Sequence, residues 1–185
     1  MIVDLQERVL PAPADTVGRL LDEILDPASS MWPAPPWFAL VLDRGLEVGS
    51  RGGHGPIRYE VTGYRPGTWV RFRFHPAIGL DGYHEFAVRE LPEGTELRHL
   101  IVAHPHGRMR WLWPLVVRWL HQAVLQDLFD NAERAATGRV RTPSRWSPWV
   151  RLLRRALARR APELSRAPRA DRLSGQPSDS SRSRT

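Results

Sequence analysis

Between Ile57 and His104 the chain repeats one pattern four times, apolar side chains at alternate positions followed by a turn. Ile57, Tyr59 and Val61 lead to Tyr64, and Arg65-Pro66-Gly67 turns the chain into Val70, Phe72 and Phe74, which oppose Arg71 and Arg73. His84, Phe86 and Val88 then share one face of Tyr83 to Glu90, and Leu91-Pro92-Glu93-Gly94 reverses the chain into Leu97, His99, Ile101 and Ala103. A period of two marks strands with one buried face, and short turns make successive strands antiparallel neighbours. After His104-Pro105-His106-Gly107 the period changes. Met109, Trp113, Val116, Leu120, Val124 and Asn131 fall within a narrow arc at about 100° per residue, which predicts one long amphipathic helix reaching Thr137. Pro114 is compatible with a regular helix that begins near Leu112, because a first-turn proline sacrifices no intrahelical bond.

The first third of the chain adds a strand, helices and short strands. Ile2 to Leu10 alternates Val3, Leu5, Glu7 and Val9 against Asp4, Gln6 and Arg8, a half-buried strand whose apolar face is blemished only by Glu7. Pro11-Ala12-Pro13 ends it. Asp15 is placed to cap the helix that follows, in which Val17, Leu20, Leu21, Ile24 and Leu25 recur at helical spacing up to Asp26-Pro27, with a second short helix expected near Ala28 to Trp32. Phe38, Leu40 and Leu42, then Leu46 and Val48 after Asp43-Arg44-Gly45, read as two short paired strands, and Ser50 to Pro56 as a glycine-rich loop. Seven strands result. Asp81-Gly82 reads as a turn, and Glu85 is expected on the solvent face.

This order resembles the START-like (SRPBCC) superfamily, which includes polyketide cyclase/dehydrase and lipid-transfer proteins. The local features that carry the resemblance are Val9-Leu10-Pro11-Ala12-Pro13-Ala14-Asp15-Thr16-Val17, Gly63-Tyr64-Arg65-Pro66-Gly67 before Val70-Arg71-Phe72, and Pro92-Glu93-Gly94-Thr95-Glu96-Leu97. Periodicity alone gives an α+β domain. The resemblance implies a helix-grip architecture over residues 1–138, a seven-stranded antiparallel curved sheet wrapped around the long C-terminal helix, with two short helices after strand one and a cavity between sheet and helix.

If the strands alternate as written, the concave wall receives Tyr59, Val61, Phe72, Phe74, His84, Phe86, Val88, Leu97, His99 and Ile101, and the helix adds Trp113, Val116 and Leu120. An apolar pocket with a few convergent polar groups suits an oriented hydrophobic ligand, such as a lipid, an isoprenoid or a polyketide-like molecule. Tyr59, His84 and His99 are those polar groups, and also the candidate catalytic residues of the competing reading, a cyclase or dehydratase with a histidine base and a tyrosine proton donor. The plain alternative for each is a backbone partner or a buried water.

Other chemistries are excluded or unsupported. The chain has no cysteine, so thiolate catalysis, disulfides and cysteine-held metals are ruled out. His104, His106 and His99 lack a carboxylate at ligand spacing and read as loop and strand histidines rather than a metal site. Gly52-Gly53-His54-Gly55-Pro56 has neither a following helix nor a Gly-Lys-Ser/Thr ending, so it is no phosphate cradle, and His54 is at most a gate at the cavity mouth. Asp81 to Glu85 holds no paired-carboxylate site. No metal or cofactor is expected.

Charge divides the chain. Residues 1–138 carry 14 arginines against 17 carboxylates, whereas residues 139–185 carry 13 arginines against three. The domain is slightly acidic and disfavours a nucleic-acid partner. Residues 139–148 have linker composition, and residues 149–161 form a basic amphipathic helix with Trp149, Leu152, Leu153, Ala156 and Leu157 opposite Arg151, Arg154, Arg155 and Arg159. Three roles are open to it: contact with an anionic membrane, docking on its own domain or on a partner protein, or none. Residues 162–185 are expected to be disordered, since from Arg166 onward almost nothing can be buried. The N-terminus has no apolar stretch of signal-peptide length, which leads to an expectation of cytoplasmic residence, peripheral to the membrane if the helix binds there.

Overall fold

A computed structural model describes residues 1–164, with side chains through Arg159. Seven antiparallel strands form one open, curved sheet in the order β1-β7-β6-β5-β4-β3-β2. They are β1 (Ile2–Leu10), β2 (Leu40–Leu42), β3 (Arg51–His54), β4 (Ile57–Arg65), β5 (Trp69–Phe74), β6 (Leu80–Leu91) and β7 (Gly94–Pro105). Helix α1 (Ala14–Asp22) follows β1, and the long helical segment after β7 lies across the concave face. The fold is helix-grip. The four-run pattern accounts for the sheet's centre: β4 pairs with β5, β5 with β6 and β6 with β7, with Val61, Val70, Phe72, Phe86 and Leu97 buried.

The long helical segment departs from regular geometry where Pro114 enters it. Helix α2 (Met109–Leu112) continues into a π-turn (Trp113–Val117) and then α3 (Arg118–Thr137). Helical structure therefore begins before Leu112. Proline lacks the amide that an α-helical turn needs, and the widened turn absorbs the missing bond. Gly138, in the left-handed region at φ 78°, ends α3, and its amide donates to the Arg134 carbonyl.

Five local expectations are corrected. No second helix forms near Ala28; residues 23–39 are turns and irregular chain, as Pro27, Pro33, Pro35 and Pro36 disfavour helical backbone before them. Asp15 does not cap α1: the N-cap position is Pro13 and has no side-chain bond, while Asp15 Oδ1 accepts from the amide of the next residue, Thr16. Leu46 to Val48 is turn, and the seventh strand is instead β3, inside the segment expected to be a loop. Side chains on Gly52 or Gly53 would collide with the carbonyls of Val41 and Ile57, so the glycines permit the close pairing with β2 and β4. Asp81-Gly82 lies within β6. Glu85 is buried at 5% exposure because Arg71 Nε, 2.8 Å away, and Trp69 Nε1, 3.0 Å away, donate to its carboxylate.

A sixth correction concerns β1, whose apolar face points outward. Val3 and Leu5 are exposed, whereas Asp4, Gln6 and Arg8 turn toward α3. The reason lies on the helix: His121, Gln126, Asp130 and Glu133 offer polar partners, and Arg8 reaches Asp130 at 2.6 Å, Glu133 at 3.3 Å and Gln126 at 3.0 Å. These matched groups make the inward polar face favourable. The segment after α3 joins the same network, since Arg141 Nε donates to Glu133 and the Ser144 amide to Asp130.

Helix α4 (Pro148–Leu164) packs back on the domain. Trp149 Nε1 donates to the Leu115 carbonyl at 3.1 Å, and Arg154 donates to the Pro36 carbonyl while lying over the Trp37 ring. The expectation of disorder falls on residues 162–185, of which 165–185 lie outside the described residues. Among the described residues no helix is long and apolar enough to cross a membrane.

Candidate functional site

Two packed clusters fill the concave face and leave a gap between them. One contains Leu10, Val17, Leu21, Val61, Phe72, Leu97, Leu128 and Phe129; the other contains Ile2, Phe74, Leu80, Ile101, Met109 and Trp113. The cavity between them has a volume of about 260 Å³. That lies between the roughly 150 Å³ that holds a benzene and the roughly 300 Å³ at which sites for drug-sized ligands begin.

Ten of the thirteen residues expected on the wall line this cavity: Tyr59, Phe72, Phe74, His84, Phe86, His99 and Ile101 from the sheet, and Trp113, Val116 and Leu120 from the helix. Val61, Val88 and Leu97 do not. They face the same side but lie in or against the first cluster, where α1 and the second half of α3 cover the sheet and leave no space. Tyr59, His84 and His99 all point inward and are buried at 3%, 6% and 2% exposure.

The polar groups form a track across the apolar wall. His54 Nδ1 lies 3.0 Å from Tyr59 Oη, the Tyr59 ring meets His84 edge-on at 4.8 Å, and His84 Nδ1 lies 3.1 Å from His99 Nε2. The His99 ring is 4.9 Å from that of His121, whose Nδ1 lies 3.2 Å from Asp4 Oδ2. Phe72 and Phe74 stack on His84, and Phe86 meets His99 edge-on. His84 Nε2 and His99 Nδ1, the two remaining ring nitrogens of the pair, are buried without a hydrogen-bond partner among the described residues.

Burial sets the charge state. Removal from water, reinforced by neighbouring histidines, holds His84 and His99 well below the usual imidazole range, and burial lowers His54 to about 4. These three are neutral near pH 7. Burial also pushes the Tyr59 phenol above its ordinary value, so it too is neutral. Burial raises Asp4, but hydrogen bonds from His121 and Gln6 outweigh it and hold the carboxyl below its usual value.

Several residues of the wall escaped the reading by period. His54 does more than guard the mouth, because the glycine-bearing strand β3 carries it to Tyr59. His121 follows Leu120 on the helix and lies beside the apolar arc; Asp4, which contacts His121 but does not itself line the cavity, carries no such signal, because the apolar side chains of β1 point outward. Trp32, Trp37 and Phe38 come from the irregular segment after α1, and Arg154 and Leu157 from α4. Among the described residues no group of three or more histidine, aspartate or glutamate side chains is arranged to hold a metal ion.

The architecture is that of the helix-grip class, a curved antiparallel sheet holding a C-terminal helix. Among solved structures similar to this chain is a protein from Nitrosospira multiformis, at 13% identity and a TM-score of 0.54, covering 74% of this chain and 98% of that one. The Aha1 dimer from Colwellia psychrerythraea is similar at 16% identity and a TM-score of 0.51, covering 73% of this chain and 98% of that one. CalU16 from Micromonospora echinospora is similar at 17% identity and a TM-score of 0.51, covering 89% of this chain and 88% of that one. At these identities the likeness is one of fold alone. No protein-family model matches the sequence, and neither does any curated protein.

Proposed function

We propose that this chain is a START-like protein that binds or carries a small hydrophobic molecule, such as an isoprenoid, polyketide-like or short lipid compound, in the cavity between the sheet and α3. The observation that carries the reading is the 260 Å³ space left among Phe72, Phe74, Phe86 and Trp113, side chains large enough to have closed it. Apolar cavities admit apolar guests, and removal of the guest's own apolar surface from water drives their binding.

The convergence of Tyr59, His84 and His99 also favours a second reading, a cyclase or dehydratase acting on a polyketide-like substrate. The charge states weigh against it. A general base works best when its pKa lies near the working pH, and burial has made His84 and His99 much weaker bases than that. They are better suited to orienting a ligand by hydrogen bonds. Native mass spectrometry of the full chain, before and after incubation with a panel of neutral apolar compounds, tests the proposal. One retained molecule per chain is expected; no uptake of any compound would overturn it.

A further inference from the structure

We propose that the molecule held in the cavity carries a neutral hydroxyl group, and that His84 and His99 together anchor it. This rests on the reading of the cavity as a ligand site. Two neutral imidazoles have two N–H donors and two bare nitrogens between them. The contact between His84 Nδ1 and His99 Nε2 uses one of each. Whichever way the shared proton points, the outer nitrogens, His84 Nε2 and His99 Nδ1, are left as one donor and one acceptor. Both are buried and unpartnered, on side chains that line the cavity.

A hydroxyl both donates and accepts, so it complements the pair in either tautomer. A carbonyl complements only the donor. A carboxylate would set its charge against two uncharged rings, with Asp4 behind His121 on the same track. A cation sits elsewhere on the wall, at Arg154, whose Nε is also buried without a partner among the described residues, and it supplies the alternative that the test has to distinguish.

Calorimetric titration of the full chain with naphthalene, 2-naphthol and 2-naphthoate at neutral pH separates the readings, since the three share one apolar body. The naphthol is expected to bind about tenfold more tightly than naphthalene. His99→Phe, which removes one of the two outer nitrogens, is expected to weaken naphthol more than naphthalene and so to lower that ratio. Nitrogen-15 shifts of the His84 and His99 rings in the unaltered protein give a readout that needs no variant, and they are expected to move with naphthol and not with naphthalene. Equal affinity for naphthol and naphthalene would overturn this inference and leave the cavity reading standing, as would a naphthol preference undiminished in His99→Phe. Tighter binding of naphthoate, lost in Arg154→Leu, would overturn it in favour of an acid held at Arg154. Failure of all three to bind would overturn the cavity reading as well.

A separate observation carries a second inference. Trp111, Leu115 and Trp119 form an exposed helical stripe at spacings of four, flanked by Leu112, and Trp149 and Leu152 of α4 are exposed beside it, joined through the Trp149 bond to the Leu115 carbonyl. Neither residues 97–126 nor residues 134–162 contain a carboxylate, whereas Arg108, Arg110, Arg118, Arg151 and Arg155 are exposed on the same elements. Leu112 also lines the cavity. We infer that this face docks on an anionic lipid surface, with the tryptophans at head-group level and the cavity beside the bilayer.

Co-sedimentation of the full chain with vesicles tests it. Stronger recovery is expected with phosphatidylglycerol-containing vesicles than with pure phosphatidylcholine, and a several-fold loss in a Trp111→Ser/Leu115→Ser variant. Undiminished recovery of that variant would assign the binding to the arginine-rich C-terminal segment alone and overturn the inference. A stable dimer that hides the stripe and ignores vesicles would also overturn it.

Discussion

The guanidinium of Arg154 lies 4.4 Å from the centre of the Trp37 ring, so that α4, late in the chain, closes on the irregular segment at the edge of the cavity. The same tryptophan donates Nε1 to Asp127 of α3 at 2.7 Å, and Trp146 donates to that carboxylate at 2.9 Å. One acid therefore holds both rings on which Arg154 rests. Asp127→Ala leaves two indole donors without their partner, and a loss of about 1–3 kcal/mol is expected. Hydrogen exchange should rise in residues 139–159 before it rises in the sheet. Arg154→Ala should speed ligand dissociation several-fold with little change in global stability, measured by stopped-flow displacement.

Arg8 is held between Asp130 and Glu133, whose side chains are only 12% and 3% exposed. Removing one partner of a buried ionic group strands the others, so Arg8→Ala is expected to destabilise the fold by about 3–5 kcal/mol in urea denaturation. The double change Arg8→Met/Asp130→Leu should recover part of this, because it removes charge from both sides. Equal losses in the single and double variants would argue against the network as drawn.

Stability should fall with acid before carboxylates titrate. Unfolded histidines protonate near pH 6.5, whereas folded His54 resists until about pH 4, and His84 and His99 are likewise held well below their ordinary value by burial. The unfolded state thus binds more protons below pH 6.5, and stability present above that pH is lost as pH falls, by about 1.4 kcal/mol per pH unit for each histidine. Tm is expected to drop by roughly 10–20 °C between pH 7 and pH 5. His84→Phe should flatten that slope, a readout separate from its effect on Tm at neutral pH.

Much of this molecule was legible because periodicity reports which positions share a face. Tyr59, Phe72, His84, Phe86 and His99 could be gathered onto one wall without knowledge of any distance. What escaped was the identity of the partner across each face. The inward side of β1 is polar because α3 answers it, which no pattern within β1 could tell. Glu85 is buried by Arg71 and Trp69 on the outer side of the sheet. The third strand looked like a loop because glycines are poor strand formers, yet at Gly52 and Gly53 the missing side chains make the pairing feasible. Val61 and Leu97 were placed on the right face, but whether a wall residue meets a ligand or another side chain depends on packing along the sheet, which alternation does not encode.

The central claim is that the space between Phe72, Phe86 and α3 admits a hydrophobic guest. Val124 lines that space from the helix, and Val124→Phe is a substitution that fills it. Titration of both proteins with naphthalene, followed by the amide and methyl NMR shifts, tests the claim most directly. Saturable shifts confined to cavity residues in the unaltered chain, and absent in folded Val124→Phe, are the predicted result; no saturable shift in the unaltered chain, or the same shifts in both proteins, would contradict it.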